Sequence, residues 1–300
     1  MTKLSKILIF VIIIFLIGVI ISIEFIAPYA VLQPSRCKRS DKGITPKSQG
    51  LNYSVFNVIT DDSIQLKGWF IYADPETAKG TVILLHGIAS CKEHLLGAAK
   101  MLTSQNYNTI LYDSRAHGES EGDYCTFGYF ESRDVSNYID HALIRFDSIE
   151  PIAVWGNSMG SAVALLAMET DKRIVCGIIE STYATLEELA RDYMKRKAGI
   201  GFKFLSDKIL KRAAEIANFQ VIKVKPEESA KQVKQPILQI HGEKDKNVSF
   251  EYGLRIFNNL SSTHKEWYPI KNGDHDNLWK AGGETYKTKI LEFLKMYMNP

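Results

Sequence analysis

Three hundred residues carry 37 lysines and arginines against 34 carboxylates, a net charge of +3. That balance is too even to hold a polyphosphate, and no basic-aromatic interleaving of the strand-binding kind occurs, so nucleic acid is excluded as a partner. The 45% hydrophobic share suffices for one large core or two small ones, and four widely spaced cysteines without a Cys-x-x-Cys pair exclude zinc-finger and thioredoxin-like chemistry.

The chain opens on an apolar run from Ile7 to Ile21, which only Ser22 and Glu24 interrupt before Ala27. About 20 apolar residues are enough to cross a hydrocarbon core, and the run exceeds the ~7–15 residues of a signal peptide. Residues 1–27 are therefore expected to be an uncleaved single-pass anchor. Lys3 and Lys6 sit tight against the start of the span and favour the rest of the chain outside the cytoplasm, which is the expected side. Arg36, Lys38, Arg39 and Lys42 beyond it argue the other way. Residues 28–50, with Pro28, Pro34, Pro46 and scattered charges but no periodicity, read as a linker.

From residue 51 the grammar is that of a folded domain. Residues 53–59 and 64–72 alternate with period two about Asp61-Asp62 and predict an antiparallel hairpin. Short apolar runs follow at 81–85, 109–112, 152–155, 174–179, 237–240 and 265–270. Helical stretches alternate with them at about 92–104, 130–146, 162–168, 250–260 and 284–298. Buried strands alternating with helices predict an α/β fold: a mostly parallel, eight-stranded sheet covered on both faces. Its chemistry gathers beyond the carboxyl ends of the strands. Residues 183–219 break the alternation with mixed apolar residues and many cations, and are expected to form a helical cap over the site, with possible contact to anionic lipid. Cys176, inside an apolar run, is expected to be a core thiol, and a disulfide among Cys37, Cys91 and Cys125 stays open.

Between the run ending at Trp155 and the helix beginning near Ala162 lies Gly156-Asn157-Ser158-Met159-Gly160. Gly-x-Ser-x-Gly between strand and helix is the pattern of a nucleophile elbow, where a serine takes a strained turn and the flanking glycines leave room for it. A serine hydroxyl is a weak nucleophile, so it needs an imidazole to take its proton and a carboxylate to orient the imidazole. His275, in the loop between the last strand and the last helix, is the expected base. Asp245, in the loop after residues 237–240, is the expected acid. Glu180, Asp274 and Asp276 are the competing carboxylates. The oxyanion donors are expected to be the backbone amides of Met159 and Ile88, with His86 bracing the loop that carries Ile88.

Taken together, His86-Gly87, Asp113 to Ser120, the elbow, Pro226 to Ser229 leading into residues 236–245, and Gly273-Asp274-His275 resemble the alpha/beta-hydrolase superfamily. Within it the chain is similar to membrane-anchored serine hydrolases of the esterase and aminopeptidase kind. The resemblance covers residue 53 to the C-terminus. It implies the same Ser158, Asp245, His275 assignment and makes Asp113 to Ser120 a structural loop. Asp274 departs from the pattern and puts an extra carboxylate beside the base. The expected activity is hydrolysis of a carboxylic ester or thioester of small or lipid-like acyl groups, through an acyl-enzyme and without metal or organic cofactor. Peptidase action on short peptides and a non-catalytic binding role are the alternatives.

Overall fold

The computed structural model describes residues 2–37, 43–147, 149–199 and 201–298. Lys38, Arg39 and Lys42 of the expected linker and Ile200 of the expected cap lie outside the described residues.

The N-terminal helix α1 (Lys3–Ile21) has no buried residue. It runs through a π-turn (Ser22–Ile26) into α2 (Ala27–Leu32). The π-turn has a local cause. Pro28 cannot donate to the carbonyl four residues back and its ring crowds that carbonyl, so the ladder widens and Ala27 bonds Ser22 instead. Lys3–Leu32 is one helix long and apolar enough to cross a membrane.

The linker expected from residue 28 is not free over 28–37. Pro28 and Leu32 are buried, the Leu32 carbonyl accepts the Cys125 amide at 2.8 Å, and Leu32 joins the main core. Arg36 then donates to the carbonyls of Gly118, Ser120 and Gly122 at 3.1, 2.7 and 3.2 Å. A disulfide joins Cys37 to Cys91. The prolines suggested a tether, but Leu32 has an apolar pocket to fill and Arg36 a ring of carbonyls to satisfy.

The expected hairpin is broken into two short ladders. β1 (Tyr53–Val55) pairs with β4 (Gly68–Ile71), and β2 (Val58–Ile59) pairs separately with β3 (Gln65–Leu66). The strands that follow are β5 (Thr81–Leu85), β6 (Asn108–Tyr112), β7 (Ile152–Asn157), β8 (Ile174–Glu180), β9 (Ile237–Gly242) and β10 (Lys265–Ile270). Among the described residues the main sheet has eight strands in the order β1-β4-β6-β5-β7-β8-β9-β10. β1 and β4 are antiparallel to their neighbours and the remaining pairs are parallel.

Period-two alternation feeds two apolar layers. From β7, Ile152 and Val154 enter one layer while Ala153 and Trp155 enter the other. The first layer is covered by α4 (Glu131–Arg145), α5 (Met159–Thr170) and α9 (Phe250–Asn259). The second is covered by α3 (Leu96–Thr103) and α10 (Leu278–Tyr297). α10 is two helical segments joined at Gly283, whose φ 57 and ψ −141 are not helical, so the stretch expected from residue 284 is the second of them. The excursion after β8 forms α6 (Leu186–Ala198) and α7 (Lys203–Ala217), which pack on each other and are followed by the short α8 (Pro226–Ser229).

Candidate active site

The elbow sits where β7 hands over to α5. Ser158 has φ 53 and ψ −115, a backbone conformation that L-residues avoid, and it is held there by its surroundings. A Cβ on Gly156 would lie 2.3 Å from the Gly160 carbonyl oxygen, and one on Gly160 would lie 2.1 Å from the Leu85 carbonyl oxygen. Strand β5 therefore runs directly under the start of α5, and neither position admits a side chain. The Ser158 amide donates to the Glu180 carbonyl at 2.9 Å. The Ser161 hydroxyl donates to the Gly156 carbonyl at 2.6 Å and accepts the Glu180 amide at 2.7 Å. The turn is thus tied to β8 on its open side.

His275, between β10 and α10, brings Nε2 to 2.9 Å from Ser158 Oγ. Its Nδ1 lies 2.8 Å from Asp245 Oδ2, at the end of β9. An ionised carboxylate only accepts, so Nδ1 carries the proton and Nε2 presents its lone pair to the serine. Asp245 Oδ1 accepts the amides of Asn247 and Val248, both at 2.8 Å. Burial alone would raise the Asp245 pKa. Hydrogen bonds from His241 and His275 outweigh it and hold the carboxyl well below the usual carboxylate range. It is therefore charged wherever the imidazole needs a counter-ion.

The competing carboxylates point elsewhere. Glu180 accepts the Tyr286 hydroxyl behind the elbow. Its burial, opposed by hydrogen bonds from Tyr286, Trp155 and Asn157, pushes its pKa up to about 7. Asp274 accepts the backbone amides of His275 and Lys246 at 2.8 and 3.1 Å, which joins the base loop to the acid loop. Those amide bonds lower its pKa. Asp276 is exposed.

The loop after β5 lies against the serine: a Cβ on Gly87 would meet Ser158 Cβ at 3.3 Å. The amides of Ile88 and Met159 have no hydrogen-bond partner among the described residues, and Met159 is the first residue of α5. Two free donors beside Ser158 can take up negative charge developing there. His86 donates from Nδ1 to the Gly87 carbonyl at 2.7 Å and accepts the Ser114 amide on Nε2 at 3.0 Å. Burial, reinforced by His117, drives its pKa down to about 3, so it braces this loop as a neutral ring.

Two supporting features were not assigned from sequence. His241 is fully buried, donates from Nε2 to the Val248 carbonyl at 3.1 Å and stands 3.5 Å from Asp245 Oδ2. Its position four residues before the aspartate, at a strand's carboxyl end, was the available signal. The Cys37–Cys91 bridge ends three residues after Ile88. No sequence spacing marks that pair.

Comparisons with known proteins bear on the fold and the class of enzyme. A family profile described as serine aminopeptidase, S33, matches residues 76–214. The esterase PF2001 of Pyrococcus furiosus superposes with a TM-score of 0.74 at 26% identity, over 90% of this chain and 99% of that one. The chain has the alpha/beta-hydrolase fold. Among curated relatives, the hydrolase is 24% identical over 246 residues to the uncharacterised protein YfhR of Escherichia coli strain K12, spanning 80% of this chain and 79% of that protein. It is 25% identical over 244 residues to the lysophosphatidylserine lipase ABHD12 of Mus musculus, spanning 71% of this chain and 58% of that protein. These relatives support a serine hydrolase.

Proposed function

We propose that this hydrolase cleaves a carboxylic ester or thioester of a lipid-like acyl group by two successive acyl transfers, from a position anchored at a membrane. The observation that carries the reading is the relay Ser158 Oγ to His275 Nε2 at 2.9 Å and His275 Nδ1 to Asp245 at 2.8 Å. His275 takes the proton as Ser158 attacks the acyl carbon. The oxyanion forms against the Ile88 and Met159 amides. The imidazolium, steadied by Asp245, then protonates the departing alcohol or thiol, and the C–O or C–S bond breaks. Water enters on the same imidazole, attacks the acyl-enzyme, and Ser158 recovers its proton.

An ester is favoured over an amide because an alcohol leaves more readily than an amine. The esterase and lysophospholipid lipase named among the relatives point the same way. The aminopeptidase description of the matching profile supports a second reading, release of an N-terminal residue from a short peptide. The apolar helix Lys3–Leu32 supports the anchor. The Cys37–Cys91 disulfide supports a domain on the oxidising side of the membrane.

A fluorophosphonate probe is expected to label the wild-type chain and not Ser158→Ala. Equal labelling of both would overturn the role given to Ser158. A panel of p-nitrophenyl esters of rising chain length, run beside aminoacyl-p-nitroanilides, separates the two substrate classes. Faster turnover of the anilides would replace the esterase reading by the peptidase one.

A further inference from the structure

Helix α7 meets the N-terminal helix along one face. Lys208 and Arg212, one turn apart, reach Glu24 at 3.3 and 3.6 Å. Glu24 is the first charged residue after Lys6, so it marks the end of the apolar run. Phe204 lies one turn before Lys208 on that same face of α7. It therefore flanks the helix close to the level where the apolar run ends. Its side chain is nevertheless 79% exposed, and that of Phe202 is 72% exposed.

Charge singles out the same edge. Between residues 195 and 212 there are seven cations, Lys195, Arg196, Lys197, Lys203, Lys208, Lys211 and Arg212, against the single carboxylate Asp207. Lys195 and Lys211 have no ion-pair partner among the described residues. A merely solvated cationic face does not need two outward phenylalanines. A second copy of the chain would bring like charge against like. Aromatic rings among lysines and arginines, next to an apolar helix, match a surface that sits in lipid headgroups. The edge also reaches the site. Arg196 donates to the Asn247 carbonyl at 2.8 Å, and the Asn247 amide is one of the two that hold Asp245.

The geometry points to a second membrane contact: the start of α7, with Phe202 and Phe204, seats in the headgroup layer of an anionic leaflet beside the anchor and brings the acid loop to the leaflet surface. This rests on the reading that the N-terminal helix spans the bilayer. Substrate then reaches the serine from the lipid rather than from bulk water.

The test uses the full chain in vesicles whose acyl chains are brominated, with phosphatidylcholine alone or with phosphatidylglycerol added. Phe204→Trp places a reporter at the edge, and quenching of the four native tryptophans in wild type is subtracted. Fluorophosphonate labelling of the variant checks that it is folded. The expected result is excess quenching in Phe204→Trp that grows with phosphatidylglycerol. No excess, in a chain that alkaline carbonate does not extract, overturns the second contact and leaves the anchor standing. Extraction by carbonate removes the anchor and the proposal together. The double variant Phe202→Ser/Phe204→Ser is expected to slow a vesicle-embedded ester about five-fold or more while leaving p-nitrophenyl acetate within about two-fold. Unchanged turnover of both substrates overturns the link between this edge and the site.

Discussion

Asp245, the proposed catalytic carboxylate, owes little of its character to the residue itself. Its side chain is fully buried, which opposes charge, yet two amides and two imidazoles converge on it. Asp245→Asn keeps the shape and loses the charge that fixes the His275 tautomer. Its kcat is expected to fall roughly a thousand- to ten-thousand-fold with the fold intact, as read by esterase assay and thermal unfolding. Glu180 is the opposite case. It has no counter-ion among the described residues, so burial sets its pKa at about 7 against an ordinary 4.5. The folded state then binds a proton that the unfolded state releases between those two values, so stability falls as pH rises from about 4.5 through about 7. The loss amounts to about 3 kcal/mol above pH 7. Glu180→Gln, neutral throughout, is expected to gain on wild type by about that amount between pH 5 and pH 8 in urea unfolding. A gap that stays constant with pH would show that Glu180 is ionised in the folded chain. Ser158, Asp245 and His275 were legible because each falls where a strand ends in a run of small or polar residues. The part played by Glu180 was not, since its partner Tyr286 lies 106 residues away on helix α10.

At the scale of elements, the strands and helices of the main sheet were readable because burial on both faces leaves a plain signature of short apolar runs. The segment joining the apolar N-terminal helix to the domain was not. Its prolines and charges are those of a linker, and only the folded arrangement shows Leu32 entering the core and Arg36 closing on three carbonyls. The Cys37–Cys91 bridge completes that attachment, three residues beyond the Ile88 amide. It closes a loop 54 residues apart in sequence, worth up to about 4 kcal/mol by the chain-entropy argument. Cys37→Ser is expected to lower the melting temperature by up to about 10 °C and to reduce kcat more than it raises KM, because the loop carrying an oxyanion donor loses a restraint. Reduction of wild type with dithiothreitol should reproduce both effects and leave Cys37→Ser unchanged. A melting shift without any change in kcat would separate the bridge from the oxyanion loop.

For the whole molecule, two features oppose each other over which side of the membrane the proposed anchor would place the hydrolase domain on. Two lysines precede the apolar run, whereas Arg36, Lys38, Arg39 and Lys42 follow it, so a count of cations places the domain in the cytoplasm. Arg36 belongs to the folded domain, however, and large domains translocate with little regard to their charge. A disulfide tied into the same segment requires an oxidising compartment to form and last. The bridge is the stronger argument because reducing conditions would remove it, while a few extra cations bias insertion without forbidding it. The domain is therefore expected outside the cytoplasm. Alkaline phosphatase fused after residue 300 should be active in intact cells, and a fluorescent reporter that matures only in the cytosol should stay dark. Alkylation under denaturing conditions without reductant should modify Cys125 and Cys176 alone, the two cysteines outside the bridge, and all four after reduction. A bright cytosolic reporter together with four reactive thiols would put the site in the cytoplasm, and with it the leaflet from which the substrate is drawn.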